Sequence, residues 1–320
     1  LTQPYRPPNR DADWASASER GSPLGLRFLV WCLRRIGDAP VRLLLVPIAS
    51  YYCLFGGSAR RASRIYLSRV DRVRGGSGGP PRFRDSYRHF LTFAELIVDR
   101  VFFWMGAHEN FEIVIRGREQ MEKHLENGRG AFLVGAHLGS FDVLRVVARD
   151  AGIPVNVLMF TANAERINET LQALDPGANV RVIDANSTSV RVAFEIRRCV
   201  ERGEFVAVLA DRLQPGRRDR MTYVNFLGEP APFPEGPFLL SIVMGLPVVL
   251  TLALKTGPRT YEAIFETLAE GEVVTAQDRR KVLRERIETF AARLEHYCKE
   301  AHFQWFNFYD FWAKAEDEHR

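Results

Sequence analysis

Residues 130–152 of this 320-residue chain read GAFLVGAHLGSFDVLRVVARDAG, and within them His137 and Asp142 stand five positions apart. An imidazole held by a carboxylate can act as a general base, because the acid fixes the tautomer and stabilises the imidazolium that forms when the ring takes a proton. On an unbroken helix, five positions correspond to about 140° of rotation, so the two side chains would face apart. Pairing them requires a break, and the intervening residues supply one. AFLVGA reads as a strand, Gly139 permits a turn, Ser140 can cap, and FDVLRVVARDAG has helical apolar spacing. Asp142 is then expected in the first helical turn, where the dipole favours its ionised form, folded back towards the ring. No other histidine has an acid at plus five. A satisfied structural histidine is the competing reading, and both stand at this point.

Two other chemistries would use the same residues. A serine hydrolase would make Ser140 the nucleophile, but GSFD lacks the G-x-S-x-G elbow that such a strained turn needs. A metal centre could draw on His137, Asp142 and Asp211, yet no second histidine stands at H-x-x-H or H-x-x-x-H spacing, and no metal is expected. Neither GxGxxG nor GxxxxGK[ST] occurs, so nucleotide binding has no motif behind it.

The elements that must position these residues follow from residue 111 onward. Short β-branched runs (FEIVI, AFLVGA, IPVNVLMF, VRVI, EFVAVLA, MTYVNFLG, LPVVLTLAL and YEAIFETL) alternate with helical patterns at 118–126, 140–150, 163–173 and 188–202. That alternation predicts an α/β fold with a central, mostly parallel sheet flanked by helices. In such sheets sites form beyond the carboxyl ends of strands, and His137 and Asp211 both fall at such ends.

Apolar residues make up 46% and charged residues 26% of the chain, which excludes wholesale disorder and a multi-span membrane protein. The net charge of +5 suits anionic partners: phospholipid head groups, acidic carrier proteins or nucleic acid. For nucleic acid there is no supporting motif, and none is expected as a partner. Cys32, Cys53, Cys199 and Cys298 form no CxxC pair, which points to a reducing compartment. Residues 1–22 carry Asp11, Asp13 and Glu19 without a small-residue cleavage pattern, so a secretory signal is not expected.

Two apolar segments, 24–33 and 41–55, are each short of the roughly 20 residues a spanning helix needs. Arginines lie on both flanks, Arg27, Arg34, Arg35 and Arg42 on one and Arg60, Arg61, Arg64, Arg69, Arg72 and Arg74 on the other. The expectation is a helical hairpin in residues 1–73 that dips into one leaflet, with arginines on anionic lipid; a short span and a buried core pair are the alternatives. The Gly/Pro-rich stretch 74–82 reads as a linker, with an α/β unit over 83–320. RDSYRHFLTFAELIVDRVFFW, after it, has amphipathic helical spacing.

The segment H137-L-G-S-F-D142 matches the HX4D motif of the lysophospholipid acyltransferase superfamily, and the resemblance runs over most of residues 110–312. Residues 211–250, with an acid after a strand and an F-x-G segment before a helix, resemble the bacterial lipid A late acyltransferases. WASASERGSP (14–23) and HFQWFNFYDFW (302–312) look like the ends of a bacterial branch of this superfamily. There are two departures. The lipid A enzymes usually carry Glu where this chain has Asp142, and glycerolipid enzymes carry FPEGTRS where PFPEGPF keeps Phe233, Pro234, Glu235 and Gly236 without the Thr and Arg.

The resemblance implies direct acyl transfer from a thioester to a hydroxyl or amine, with no covalent nucleophile and no cofactor. His137 would be the base and Asp142 its partner. Gly139, Ser140, Asp211 and Arg212 would orient substrate or meet the oxyanion, the first two through free amides at the helix start. Arg217, Arg218, Arg220, Phe233, Glu235 and Gly236 would meet acceptor or donor. The partners implied are acyl carrier protein or coenzyme A as donor, a membrane lipid or lipid-linked acceptor, and anionic inner-leaflet lipids, at the cytoplasmic face of a bacterial inner membrane. A non-catalytic lipid-binding or scaffold protein that keeps the fold is the alternative.

Overall fold

The β-branched runs become strands β1 (Glu112–Arg116), β2 (Phe132–Gly135), β3 (Val155–Met159), β4 (Val180–Asp184), β5 (Phe205–Leu209), β8 (Val248–Lys255) and β9 (Thr260–Ala269), with the hairpin of β6 (Met221–Phe226) and β7 (Glu229–Pro234) between β5 and β8 in the chain. They pair in the order β1-β9-β8-β2-β5-β3-β4. Every neighbouring pair is parallel except β8 and β9, which form a hairpin. The central strands are covered on both faces: β2 is buried throughout, and β8 from Val248 to Leu254. That is the burial expected of a parallel sheet between helical layers. The structure, a computed structural model, describes residues 23–126, 128, 130–159, 180–185, 189–212 and 220–312. The predicted helix at 163–173, Arg217 and Arg218, and residues 1–22 lie outside the described residues.

MTYVNFLG does not join the central sheet. It forms β6 (Met221–Phe226), paired antiparallel with β7 (Glu229–Pro234) in a separate hairpin. Three prolines hide β7 from a sequence reading. They oppose Met221, Tyr223 and Asn225 at every second position, so their missing N–H groups all lie on one side of the strand. Leu227 and Gly228 turn the hairpin with φ of 53° and 83°, as a two-residue loop of positive φ requires.

The helices are α1 (Pro23–Arg35), α2 (Asp38–Phe55), α3 (Gly57–Val73), α4 (Phe83–Trp104), α5 (Arg118–Glu126), α6 (Phe141–Asp150), α7 (Ser189–Glu201), α8 (Gly236–Met244) and α9 (Arg279–Glu300). Tyr66, Leu67 and Val70 of α3 enter the main core with the sheet and α9. α2 buries Val41, Leu45, Ala49 and Cys53, one residue per turn. Asp38 and Arg42 tie its first turns down: Arg42 donates to Asp38 at 2.7 Å and to the buried Asp99 of α4 at 2.6 Å, and Asp99 also takes Lys255 and the Tyr261 hydroxyl.

His89 of α4 is wholly enclosed, with Nδ1 on Ser63 Oγ at 3.0 Å and Nε2 on the Trp305 carbonyl at 2.9 Å. Burial pulls it from 6.5 to about 4 against the opposing Trp305 bond. A histidine kept neutral by the fold stabilises fully above its unfolded pKa and loses that contribution as pH falls. Unfolding free energy is therefore expected to drop by up to about 3 kcal/mol between pH 6.5 and 4. Urea titrations across that range should show the drop in the wild type and a shallower one in His89→Gln; equal slopes would refute it.

Candidate active site

β2 and β5 lie side by side, with Gly135 opposite Leu209. Two residues beyond those partners the chain reaches His137 on one strand and Asp211 on the other, so parallel register brings the side chains together. His137 Nδ1 lies 2.7 Å from Asp211 Oδ1, and the His137 backbone N–H donates to Asp211 Oδ2 at 2.9 Å. Asp211 is fully buried while the His137 side chain keeps 22% exposure. A carboxylate only accepts, so Nδ1 carries the proton and Nε2 is the basic atom. Among the described residues no protein group bonds Nε2.

The expected pairing of His137 with Asp142 does not form. Asp142 takes Arg100 Nε at 2.7 Å and Trp104 Nε1 at 2.9 Å, both from α4, and is 3% exposed. Ser140 does end the extended segment, with φ −123° and ψ 110°, but without a side-chain cap. Because α6 starts only at Phe141, Asp142 lies in its first turn, and α4 supplies two donors there. The Arg100 guanidinium also stacks 4.7 Å above the Phe141 ring.

The amides expected to be free at Gly139 and Ser140 are occupied as well. Gly139 N–H donates to the Gln304 carbonyl at 2.9 Å and Ser140 N–H to the Ala253 carbonyl at 2.8 Å. Gly139 has φ +75°, and a Cβ there would lie 2.0 Å from the Ala253 oxygen, so only glycine fits this junction. The turn that carries His137 is thus laced between the end of β8 and residues 304–306. Phe306 N–H donates to the His137 carbonyl at 2.8 Å, and the Gln304 side chain pairs with both backbone groups of Lys255.

The aromatic C-terminal segment is the scaffold of the site. Trp305 Nε1 and Asn307 Nδ2 each donate to Asp211 Oδ2 at 2.9 Å. Arg212 donates from Nε to Asn307 Oδ1 at 2.7 Å and from a terminal nitrogen to the Phe306 carbonyl at 3.2 Å. Burial by itself would raise the Asp211 carboxyl, but His137 beside it, its hydrogen bonds and Arg212 hold it down at about 2. Sequence reasoning assigned Trp305, Asn307, Arg100 and Trp104 no part here. The available signal was Gln304 and Asn307 themselves, two amides each flanked on both sides by aromatic residues.

The remaining candidates among the described residues do not gather at His137. Phe233 is fully buried, packed edge-on against Phe226, Phe290 and Phe311, and cannot meet a ligand. Gly236 opens α8, and Glu235 just before it accepts the Thr222 hydroxyl at 2.8 Å. With Arg279, Arg280 and Arg284, Glu235 lines a separate pocket of about 320 Å³. The Arg220 carbonyl accepts the Glu235 amide at 3.1 Å. Among the described residues no three His, Cys, Asp or Glu side chains gather to hold a metal.

The family model described as bacterial lipid A biosynthesis acyltransferase matches residues 87–312, a span that takes in the whole sheet, both members of the His137–Asp211 pair and the C-terminal scaffold. No curated protein matches the chain.

Proposed function

Because the chain belongs to the bacterial lipid A biosynthesis acyltransferase family, we propose that it moves a fatty acyl group from a thioester of acyl carrier protein or coenzyme A to a hydroxyl or amine of a lipid-like acceptor, with His137 as base and Asp211 as its partner. The observation that carries this reading is the buried Asp211 on Nδ1 of a histidine whose side chain remains accessible. Nε2 takes the acceptor's proton as its oxygen or nitrogen attacks the thioester carbonyl. Asp211 stabilises the imidazolium. The tetrahedral oxyanion then collapses, the C–S bond breaks, and the leaving thiolate takes the proton from His137. Arg212, fixed by Asn307 and Phe306, is the cation placed beside this pair and the candidate for the developing negative charge. Asp142 then serves to anchor the start of α6 through Arg100 and Trp104.

A chain of about twelve carbons is worth roughly 9 kcal/mol of apolar transfer, so donor and acceptor chains have to be kept from water. α2 supports a membrane location. It is long and apolar enough to cross a bilayer, yet one face is packed, and Leu43, Leu44, Val46, Ile48, Tyr51, Tyr52, Leu54 and Phe55 are exposed on the rest. A helix pinned along one side and ion-paired to Asp99 lies in the interface of one leaflet, with neighbouring arginines on anionic lipid at the cytoplasmic face. Leu43→Asp with Phe55→Asp is expected to cut sedimentation with phosphatidylglycerol vesicles by at least about tenfold; unchanged binding would remove α2 as the docking element.

Mass spectrometry of lipids from cells with the gene, without it, and with His137→Ala tests the activity. A lipid heavier by one acyl group should appear only with the intact gene. Lipid binding without thioester consumption by the purified protein would favour the scaffold alternative.

A further inference from the structure

We infer that Asn307 is the positioning residue of the His137–Asp211 pair, a carboxamide that brackets the carboxylate and the neighbouring guanidinium together and so sets the pH at which His137 becomes an available base. The inference rests on the reading of His137 as base.

Asn307 is 3% exposed and uses both ends of its side chain. Nδ2 donates to Asp211 Oδ2 at 2.9 Å and lies 3.4 Å from the Asp211 carbonyl, while Oδ1 accepts Arg212 Nε at 2.7 Å. Only a group that donates and accepts at once can do this. An aliphatic side chain would strand two buried charged partners, and a carboxylate would satisfy Arg212 but repel Asp211.

The consequence for His137 follows from the donor count on Asp211. The carboxylate accepts from the His137 amide, the His137 ring, Trp305 and Asn307. Every donor other than the ring spreads its charge and weakens its pull on the ring proton. Removing the Asn307 donor makes Asp211 more basic, favours the imidazolium, and raises the pH below which the base is lost. A second carboxylate in that place acts in the same direction and more strongly.

The other ionisable groups facing Asp211 do not confuse this readout. Arg212 stays charged. Cys298 of α9 and Tyr309 of the C-terminal segment are pushed up by burial, as is Tyr66 of α3, which contacts Cys298.

The test uses the full chain in phosphatidylglycerol micelles, with the His137 ring followed by nitrogen NMR across pH 4–9 and turnover of dodecanoyl-coenzyme A measured in parallel. In Asn307→Ala the His137 midpoint and the acid limb of kcat/KM should both move up by about half a pH unit, and in Asn307→Asp by about one unit or more. In Asn307→Ala kcat should fall about tenfold with KM unchanged. A purely structural role would lower the melting temperature or the amplitude and leave the midpoint in place. Identical midpoints in wild type and Asn307→Asp would overturn the proposal. If Asn307→Asp fails to fold, Asn307→Ser, with a shorter donor, gives the same readout at smaller size. The ring titration is independent of turnover, so an active His137→Ala would sink the base assignment while the NMR midpoint still decides Asn307.

Discussion

Replacing His137 with alanine is expected to lower turnover by about 10²–10⁴-fold at unchanged acceptor binding, with melting temperature and far-UV spectrum preserved. The loss falls on kcat because the ring acts only when a proton leaves the acceptor. The fold should survive because among the described residues the ring makes one side-chain hydrogen bond, to Asp211, while the turn itself is held by backbone bonds to Gln304, Phe306 and Ala253 that alanine keeps. Asp211 would lose the ring donor and retain the His137 amide, Trp305 and Asn307. The measurement is initial rate of thiol release from an acyl thioester in the presence of lipid acceptor. Retention of more than a tenth of wild-type activity would take His137 out of the chemistry.

The second expected result separates two carboxylates that sequence spacing cannot. Asp211→Asn should cost about 10⁴-fold in kcat, the magnitude known for a carboxylate that holds a catalytic histidine in its tautomer. The amide no longer stabilises the imidazolium, and its own N–H competes with Nδ1–H. Asp142→Asn, by contrast, keeps an oxygen for Arg100 or Trp104 and makes no bond to the ring, so a loss of about tenfold or less is expected. Its effect should show chiefly in stability, since it leaves a guanidinium stacked on Phe141 without its counter-charge. Parallel kinetics of the two variants, with urea unfolding of each, decide the matter. Equal kinetic losses with intact folds would return Asp142 to the ring.

Much of the scaffold is determined locally. The strand at 132–135, the glycine turn, the helix starting beside Ser140, and the alternation that makes the sheet mostly parallel all follow from residue pattern, because β-branched runs, glycine turns and helical spacing act over a few positions. Even the placement of His137 and Asp211 at carboxyl ends of strands is readable there. β7 escapes the pattern, because three prolines look like a loop until register shows their N–H side facing away from β6.

What spacing could not settle is which acid meets the imidazole. Asp142 is near in sequence, but side-chain direction depends on neighbours: α4 brings Arg100 and Trp104 to it, and parallel register between β2 and β5 brings Asp211 to the ring from 74 positions away. The same holds for the segment 302–312, whose aromatic residues announce burial while its two amides and Trp305 acquire their meaning only when β2, β5 and β8 end beside them. Local propensity fixes elements over short stretches of chain. Charge pairing across elements is decided by which ends the packed sheet places together.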